Sequence, residues 1–432
     1  MNDVIIVGGG LAGLAAATWC ARLGLEVVVL ERATALGGRA RTTTRAGYAH
    51  NLGGHALYVE GAAHRGLREL GVPFTGAPPP TGGLLGMARG ELHRFPAGPL
   101  SMLATDLFGF KAKIEAARAL RALVRAHPVP LDDVTWSTWL DGVTPRREVR
   151  HALESIARVT TYANSPRRMS AGATVAQIKR GMSPGVLYLD GGWQTLVDGL
   201  ERAAVAVGVR IVRDAPVASI ARDTIVRGVA VASGERVAGR AVLLAVGPAT
   251  ARSLVGRGGE ALGARLVASH AACLDLGLSA LPRPERLVVF GLDRPTYFSV
   301  HSASARLADR GATVHLMKYL DPDELLDAEG TERELEAFAD RVQPGWRALT
   351  DTRRFLPNLV ASNAIVAAGT RRPAVDASGF EGIYLAGDWV GDEGMLADAA
   401  VASARAAAHR IAHDLGCSSR PGVPVAAKMA AS

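Results

Sequence analysis

The chain has few cysteines, few aromatic residues and no long apolar run, and each shortage excludes a class of protein. Only 3 of its 432 residues are cysteines, with no CxxC pair and no zinc-ligand spacing, so neither a disulfide framework nor a bound metal is expected. No segment reaches the ~18 uninterrupted apolar residues of a membrane span. We therefore expect a protein of a reducing, cytoplasmic compartment.

The chain carries an excess of basic residues, which are scattered along the sequence and not concentrated in one segment. The 49 Lys and Arg residues exceed the 41 Asp and Glu residues, for a formal net charge of +8, but they form no basic run. This pattern argues against a nucleic-acid partner. In one helical region, basic residues do flank apolar positions: Lys111, Lys113, Arg118, Arg121 and Arg125. Two interpretations stay open there, a solvated basic face, which we favour, and peripheral contact with an anionic membrane.

The N-terminus predicts a strand, a glycine turn and a helix. An apolar, β-branched run at 4–7 is typical of a buried parallel strand, and 11–23 has helical spacing. The turn between them reads Gly8-x-Gly10-x-x-Gly13. In this order the glycines give a tight turn, let the backbone approach a pyrophosphate, and allow close helix packing. The segment therefore predicts a dinucleotide site.

Groups beside this turn complete the expected site. The amides of Leu11 and Ala12 open the helix, where partial positive charge favours phosphates. Glu31 lies 18 residues after Gly13, at the end of a second apolar strand, with Arg32 beside it. The Glu31 carboxylate can accept hydrogen bonds from the ribose hydroxyls of a dinucleotide, and an acid at this position disfavours a 2′-phosphate.

Short apolar strands followed by helices recur in three separated segments. These segments are 1–75, 186–250 and 356–416. We assign them to one Rossmann-like domain, and the intervening 76–185 and 251–355, which mix helices and strands, to an inserted α+β substrate domain. The expected fold class is α/β with this insertion. Residues 417–432, rich in Ser, Pro, Ala and Gly, are expected to be a disordered tail.

A second glycine turn specifies the dinucleotide. Gly37-Gly38-Arg39 follows Glu31 by six to eight residues. It resembles the GGR element of the superfamily of amine oxidases, phytoene desaturases and protoporphyrinogen oxidases. In that superfamily the turn packs over FAD, and its arginine lies near the phosphates or the ribityl chain. The resemblance implies FAD held by a Rossmann-like domain of the GR2 type.

The resemblance continues through the later segments. Gly191-Gly192-Trp193 and Pro216-Val217 are similar to the superfamily's second FAD-contacting stretch, and 242–248 to the strand that ends beside the cofactor. Residues 384–388 resemble the C-terminal motif whose aspartate binds ribityl hydroxyls, and 394–396 would meet the pyrimidine edge of the flavin. The cofactor residues implied in this way are Gly8, Gly10, Leu11, Ala12, Gly13, Glu31, Arg32, Gly38, Arg39, Gly53, Gly54, His55, Val217, Gly247, Gly387, Asp388, Gly394, Met395 and Leu396.

The chain departs from the superfamily at two places. Asn51-Leu52-Gly53-Gly54 stands where an acidic residue often precedes the glycines. No cysteine lies near Asp388 in the sequence, so the thioether of the covalent members has no anchor. The resemblance therefore implies non-covalent FAD.

Three functions stay open. The favoured one is an FAD-dependent, desaturase- or dehydrogenase-like enzyme that moves a hydride from a C–C or C–N bond of a mostly apolar small molecule to flavin N5, with electrons passed to oxygen or a quinone. The second is a flavin amine or amino acid oxidase that produces peroxide. Aromatic residues are only 5% of the chain and are missing from 392–396, which weighs against it. The third is a non-catalytic, prenyl-binding escort protein of the same fold.

Three side chains are candidates for the chemistry. His55 and Tyr58, just after Gly53-Gly54, would come close to the flavin on the superfamily's path and are candidates to handle protons. Lys318 is a candidate for the lysine that a water bridges to flavin N5 in amine oxidases. Each has a structural alternative: a hydrogen-bonded histidine, a packed tyrosine and a surface lysine at a strand end.

Overall fold

A computed structural model of the chain describes residues 1–223 and 225–417, so the expected tail from 418 onward lies outside the described residues. The strands are β1 (Asn2–Val7), β2 (Val27–Leu30), β3 (Thr42–Arg45), β4 (Tyr48–Asn51), β5 (Leu57–Tyr58), β6 (Gly76–Ala77), β7 (Leu85–Ala88), β8 (Glu91–Arg94), β9 (Val186–Leu189), β10 (Arg210–Val212), β11 (Val217–Arg222), β12 (Val226–Val231), β13 (Arg236–Leu244), β14 (Ser269–Leu278), β15 (Val288–Gly291), β16 (Thr296–Val300), β17 (Ala312–Leu320), β18 (Thr350–Ser362) and β19 (Ile383–Leu385).

The helices, like the strands, alternate between the two predicted domains. They are α1 (Leu11–Arg22), α2 (Ala62–Glu69), α3 (Pro99–Ala104), α4 (Phe110–Arg125), α5 (Trp136–Val143), α6 (Arg147–Thr161), α7 (Ala171–Met182), α8 (Gln194–Ala206), α9 (Pro248–Val255), α10 (Ala328–Val342) and α11 (Leu396–Asp414). Within residues 1–223 and 225–417, none of them is long and apolar enough to cross a membrane.

A largely parallel sheet organises the first domain. Strands β10, β2, β1, β13 and β19 run parallel, and β12 and β11 extend the sheet antiparallel from β13. Val4, Ile5 and Ile6 of β1 are fully buried, because helices or strands cover both faces of the sheet. The strand, glycine turn and helix predicted at the N-terminus are present as β1 and α1.

Small residues let helices pack closely on one face of this sheet. α1 contacts α11 extensively, and alanines that are fully buried lie on both helices: Ala15, Ala16, Ala17, Ala404, Ala407 and Ala408. On the other face, apolar residues of β11, β12 and α9 and the Trp389 ring pack together with the strands. This packing sets the N-terminus of α1 at the carboxyl edge of the parallel strands, where ligands bind in open α/β sheets.

A second sheet, in the order β18-β14-β17-β16-β15-β7-β8, forms the inserted domain together with α3–α7 and α10. Its neighbours are antiparallel except for β7 and β15. Side chains alternate along β17, so Val314 and Leu316 pack toward α10 whereas Met317 and Tyr319 pack on the opposite face. Gly54 lies against Met317, so this opposite face looks toward the first domain.

Some predicted boundaries shift in the structure. β18 pairs with β14 along its length, from Thr350 opposite Leu278 to Ser362 opposite Ser269, and so crosses the domain boundary predicted at 355/356. The helical region predicted at 111–125 is part of α4. The helix before it, α3, ends ahead of Thr105, which has an extended backbone and whose hydroxyl donates to the Arg94 carbonyl oxygen at 2.5 Å. The remaining domain segments stay a prediction.

Candidate active site

The glycine turn after β1 has two crowded positions and one open position. A Cβ atom on Gly8, whose φ is +107°, would lie 2.6 Å from the carbonyl oxygen of Ala245. One on Gly13 would lie 1.9 Å from the carbonyl oxygen of Gly8, whereas one on Gly10 would meet nothing closer than the Gly37 oxygen at 3.9 Å. Protein packing therefore requires the first and third glycines, and the second borders open space where a ligand can approach the backbone.

The carboxylate of Glu31 is held directly beside this turn. It accepts hydrogen bonds from the backbone N–H of Gly9 at 2.6 Å and of Ala33 at 2.9 Å. Glu31 is only 9% exposed, while the neighbouring Arg32 is exposed. The structure thus places the acid where the predicted ribose contact requires it, and that contact itself stays a proposal.

The second glycine turn packs against the first. Gly37, with φ at +108°, donates its N–H to the carbonyl oxygen of Gly9 at 2.8 Å. A Cβ atom on Gly38 would meet nothing closer than the Cα atom of Gly10 at 3.9 Å. Gly10 and Gly38 therefore border the same open space from two sides.

Arg39, the next residue, forms a bidentate ion pair with Asp388. Both hydrogen bonds, from Nη1 to Oδ2 and from Nη2 to Oδ1, measure 2.8 Å. Asn363 donates to the same carboxylate from its backbone N–H at 2.9 Å and its side-chain amide at 2.8 Å. Burial opposes ionisation of Asp388, but Arg39 and Asn363 outweigh it and lower the pKa of the carboxyl to about 2.

This arrangement changes the expected role of Asp388. A carboxylate offers about four acceptor positions, and Arg39 and Asn363 supply four donors. A ribityl hydroxyl could bond to Asp388 only if one of them moved. The Arg39 side chain is 43% exposed and is the member of the pair within reach of a ligand. Gly247 lies next to Asn363: a Cβ atom added to this glycine would lie 3.1 Å from the Asn363 Oδ1 atom.

The N-terminus of α11 borders a cavity between the two domains. Met395 and Leu396 line it together with Thr161, Ala163, Ser269 and Ser362. Leu396 has a φ of +56°, a backbone conformation that non-glycine residues rarely adopt and that is found mostly at functional sites. Gly394, with φ at +66°, precedes them. The helix dipole directs partial positive charge at this end of α11.

Gly53 and Gly54 pack their backbone directly onto the second sheet. A Cβ atom on Gly53 would lie 2.7 Å from the Cys273 Sγ atom, and one on Gly54 would lie 3.0 Å from the Met317 Sδ atom. His55 follows; its Nδ1 atom lies 3.1 Å from the Gly53 carbonyl oxygen. Burial lowers the pKa of His55 to about 4, so the ring is neutral near pH 7.

Five of the seven tyrosines converge between the second sheet, α6 and β9. We call Tyr58, Tyr162, Tyr188, Tyr297 and Tyr319 the tyrosine cluster. The Tyr58 hydroxyl donates to the Thr160 carbonyl oxygen at 2.7 Å, the Tyr162 and Tyr319 rings meet edge-on at 6.2 Å, and the Tyr188 and Tyr297 oxygens lie 3.3 Å apart.

Burial sets the ionisation state of this cluster. It raises the pKa of all five phenols, so they remain protonated near pH 7. Tyr162 lies between Thr161 and Ala163, which line the cavity at α11. None of the five phenols is among the residues that line that cavity, and in their protonated form they cannot act as bases.

Three buried histidines adjoin the tyrosine cluster. The His301 ring stacks on Tyr188 at 3.8 Å and meets His315 edge-on at 4.5 Å. His315 Nδ1 lies 2.6 Å from the Asp275 carboxylate, which Arg354 also binds. Burial lowers the pKa of His50 to about 4 and that of His301 well below its usual value. Within the described residues no group of His, Cys, Asp and Glu could hold a metal ion.

Known proteins share both sequence and fold with this chain. A model of the family described as flavin containing amine oxidoreductase matches residues 11–275. The chain belongs to this family. A candidate flavin-containing monoamine oxidase of Mycobacterium tuberculosis is 31% identical over 267 residues, which cover 57% of this chain and 57% of that one. The chain thus spans little more than half the length of this curated relative.

Solved structures show the same fold over nearly the whole chain. An oxidoreductase from Methanosarcina mazei has a TM-score of 0.74 at 17% identity and covers 94% of this chain and 99% of its own. A candidate protoporphyrinogen oxidase from an Exiguobacterium species has a TM-score of 0.72 at 20% identity, with coverages of 96% and 99%. The predicted fold class is confirmed.

Membership of the flavin containing amine oxidoreductase family makes an FAD-dependent oxidoreductase the expectation for this chain. The family assignment supports an enzyme rather than the escort protein considered from the sequence. The residues fit FAD: Gly10 and Gly38 leave space for it beside the α1 N-terminus, and Arg39 offers a cation. Non-covalent binding of FAD stays a prediction. Burial raises the pKa of the Cys273 thiol well above the usual value and so keeps it protonated.

Lys318 requires a correction. It lies on the α10 face of β17, where its Nζ atom forms an ion pair with Glu334 at 2.7 Å. Strand alternation turns Met317 and Tyr319 toward the first domain and Lys318 away from it. This position near the end of β17 fits the structural alternative, a surface lysine at a strand end, and does not support a catalytic role.

The sequence did not reveal the tyrosine cluster, Asn363 or the Asp275–His315 pair. Alternation within each strand would have placed 315, 317 and 319 on one face, and 297 and 299 on another. Only the pairing of β16 with β17 shows that these faces coincide. Val217, predicted to contact FAD, begins β11 and is partly buried, and its role stays a proposal.

Exchanging single glycines of the turn separates packing from cofactor binding. Gly10→Ala should leave the free energy of unfolding of the apoprotein within about 0.5 kcal/mol of wild type, since its Cβ meets open space. It should weaken FAD binding by about tenfold, because the methyl group fills that space. Gly13→Ala should instead destabilise the apoprotein by about 3 kcal/mol. Denaturant unfolding and FAD titration measure both; unchanged FAD affinity in Gly10→Ala would contradict the assignment.

The buried histidines predict acid sensitivity. Unfolded imidazoles bind a proton below about pH 6.5, whereas folded His50 does so only near pH 4 and folded His301 well below its usual range. The unfolded state therefore gains protons first as pH falls from 6.5 toward 4, and each histidine lowers the free energy of unfolding by about 1.4 kcal/mol per pH unit.

Urea unfolding at several pH values tests this dependence. His50→Asn should reduce the slope of stability against pH, and His409→Asn, at an exposed position, should leave it unchanged. A wild-type protein equally stable at pH 5 and pH 6.5 would show that these imidazoles are not neutral in the folded state.

Proposed function

We propose that the enzyme oxidises a mostly apolar small molecule, in the manner of a desaturase or dehydrogenase, by removing a hydride from a C–C or C–N bond. Electrons then pass to oxygen or a quinone. The observation that carries the proposal is the uncharged tyrosine cluster, of which Tyr58, Tyr188, Tyr297 and Tyr319 are buried and Tyr162 is partly buried. Such a surface binds apolar groups and offers phenolic donors, but no anion.

Charged groups near the cluster support an apolar substrate. Asp275 is already bound by His315 and Arg354, and Asp398 by Arg180 and the Ala63 N–H. Neither carboxylate is free to bind a substrate ammonium group. A polyamine, which needs such an anion for its distal end, is therefore disfavoured.

The buried side chain of Arg158 also argues against a substrate with an ammonium group. It is 8% exposed, donates from Nη2 to the Gly291 carbonyl oxygen at 2.9 Å, and forms an ion pair with no acidic side chain of the described residues. It lies near Tyr319, close enough to influence that phenol electrostatically. An unpaired buried cation attracts a carboxylate at one end of an apolar substrate and repels an ammonium group.

The chain's own groups can support the reaction in three ways. Bound FAD supplies the hydride acceptor. The tyrosine cluster orients the substrate and excludes water, and the N-terminus of α11 stabilises negative charge that develops beside Met395 and Leu396. Desaturation also releases a proton; the neutral imidazole of His55 can accept it, whereas the protonated Tyr58 cannot.

A second candidate is the oxidation of an apolar monoamine. The edge-on rings of Tyr162 and Tyr319 support it, because aromatic faces attract a cationic or neutral amine. The monoamine oxidase relative belongs to the same family. The chain has few aromatic residues, but five of its seven tyrosines are gathered at one place, which offsets the argument that a low aromatic content makes against an amine substrate.

Anaerobic reduction of the purified holoenzyme distinguishes the candidates. Polyenes or porphyrinogens should bleach the flavin absorbance, whereas putrescine should not. Bleaching by monoamines alone would establish the second candidate and contradict the first. Tyr319→Ala should slow bleaching by on the order of tenfold through lost substrate positioning. Tyr384→Phe, whose hydroxyl bonds Asp414 far from the cluster, is the matched control and should bleach at the wild-type rate.

A further inference from the structure

Exposed apolar side chains are concentrated on one part of the second domain. Of the thirteen large hydrophobic residues exposed in the described chain, seven lie between residues 100 and 129. Leu100 is 83% exposed, Leu103 74% and Phe110 79%. All three belong to α3 or to the first residue of α4. Scattered single residues of this kind are ordinary, but their accumulation in one short segment marks an interaction surface.

Helix α4 is apolar on two opposite sides. Ala112, Ala116, Ala119 and Leu123 recur every three or four residues and are buried against α6 and its neighbours. The outward side carries Phe110, Ile114 and Val124, which are 40% to 79% exposed. The buried side alone is sufficient to hold the helix in the domain. The outward apolar residues therefore have no partner among the described residues.

The same outward side is basic. Lys111, Arg118, Arg121 and Arg125 are exposed, and none of them forms an ion pair within the part of the chain that the structure describes. Glu115, the acidic residue of α4, is turned inward and bound by Arg146 and Thr144. We name these four cations, together with Leu100, Leu103, Phe110, Ile114 and Val124, the α3–α4 surface.

We propose that the α3–α4 surface binds peripherally to an anionic lipid bilayer. Its cations complement lipid phosphates and acidic headgroups, while its protruding leucines and phenylalanine suit the boundary between headgroups and acyl chains. A second copy of this chain is a poor partner, because two such surfaces would bring eight unpaired cations together.

This inference does not depend on which substrate is oxidised. It also reverses the preference drawn from the sequence, which favoured a solvated basic face for this region. A basic face that only contacts water does not account for large apolar side chains that are about three quarters exposed. Phe110, Leu100 and Leu103 are exposed to this extent.

Sedimentation of the FAD-bound full chain with phospholipid vesicles tests the proposal. Vesicles that contain phosphatidylglycerol should pellet the protein, phosphatidylcholine vesicles should pellet much less, and high salt should weaken the binding. The double variant Leu103→Ser/Phe110→Ser should lose most binding. Leu325→Ser, at a position 98% exposed outside the surface, is the matched control and should bind like wild type.

Charge variants complete the test. Replacing Arg118 and Arg121 with Gln should lower the affinity for anionic vesicles by about fivefold for each charge, whereas Arg202→Gln on α8 should have no effect. FAD absorbance of each variant confirms that it folds, because all these positions lie outside the cofactor site. Equal binding of the double variant and wild type, or no binding to anionic vesicles, would overturn the proposal. The proposal would also be overturned if the protein formed a dimer that Phe110→Ser dissociates. It would equally be overturned if an acidic protein bound the surface while vesicles did not.

Discussion

The ion pair between Arg39 and Asp388 joins chain segments 349 residues apart. It is the contact on which the cofactor site depends, because Asp388 is 2% exposed and a buried carboxylate is costly unless it is paired. Removing one partner of a fully buried pair destabilises a protein by about 3–5 kcal/mol; the effect is smaller here, since Arg39 is 43% exposed. The pair fixes the second glycine turn against the loop that leads to α11.

Local patterns predicted the parts of the site that depend on local backbone geometry. Gly13 is required by its contact with Gly8 within the turn, and Gly8 by its positive φ and its contact with Ala245, so their spacing was informative, as was the position of Glu31 after β2. The partner of Arg39 was not predictable, because it is set by how β13, β18 and β19 bring Asn363 and Asp388 together. Lys318 failed for a related reason: one residue along a strand reverses the face.

The two sheets position different parts of the candidate site. The parallel sheet of the first domain positions the two glycine turns, and the second sheet presents tyrosines and histidines toward them. The aromatic content of 5% for the whole chain hides a local concentration, because five of the seven tyrosines lie in the tyrosine cluster. The proposed apolar substrate and the proposed lipid-binding surface on the same domain would suit each other, because an apolar substrate partitions into lipid.

The most direct test of the assembled cofactor site is a double-mutant cycle on FAD affinity. Titration of the apoprotein would compare wild type, Arg39→Gln, Asp388→Asn and the double variant. If Asp388 acts by fixing Arg39, each single variant should raise the dissociation constant by about tenfold or more, and the double variant should be about as weak as either single one. Unchanged affinity in both single variants, or fully additive losses in the double variant, would contradict this assignment.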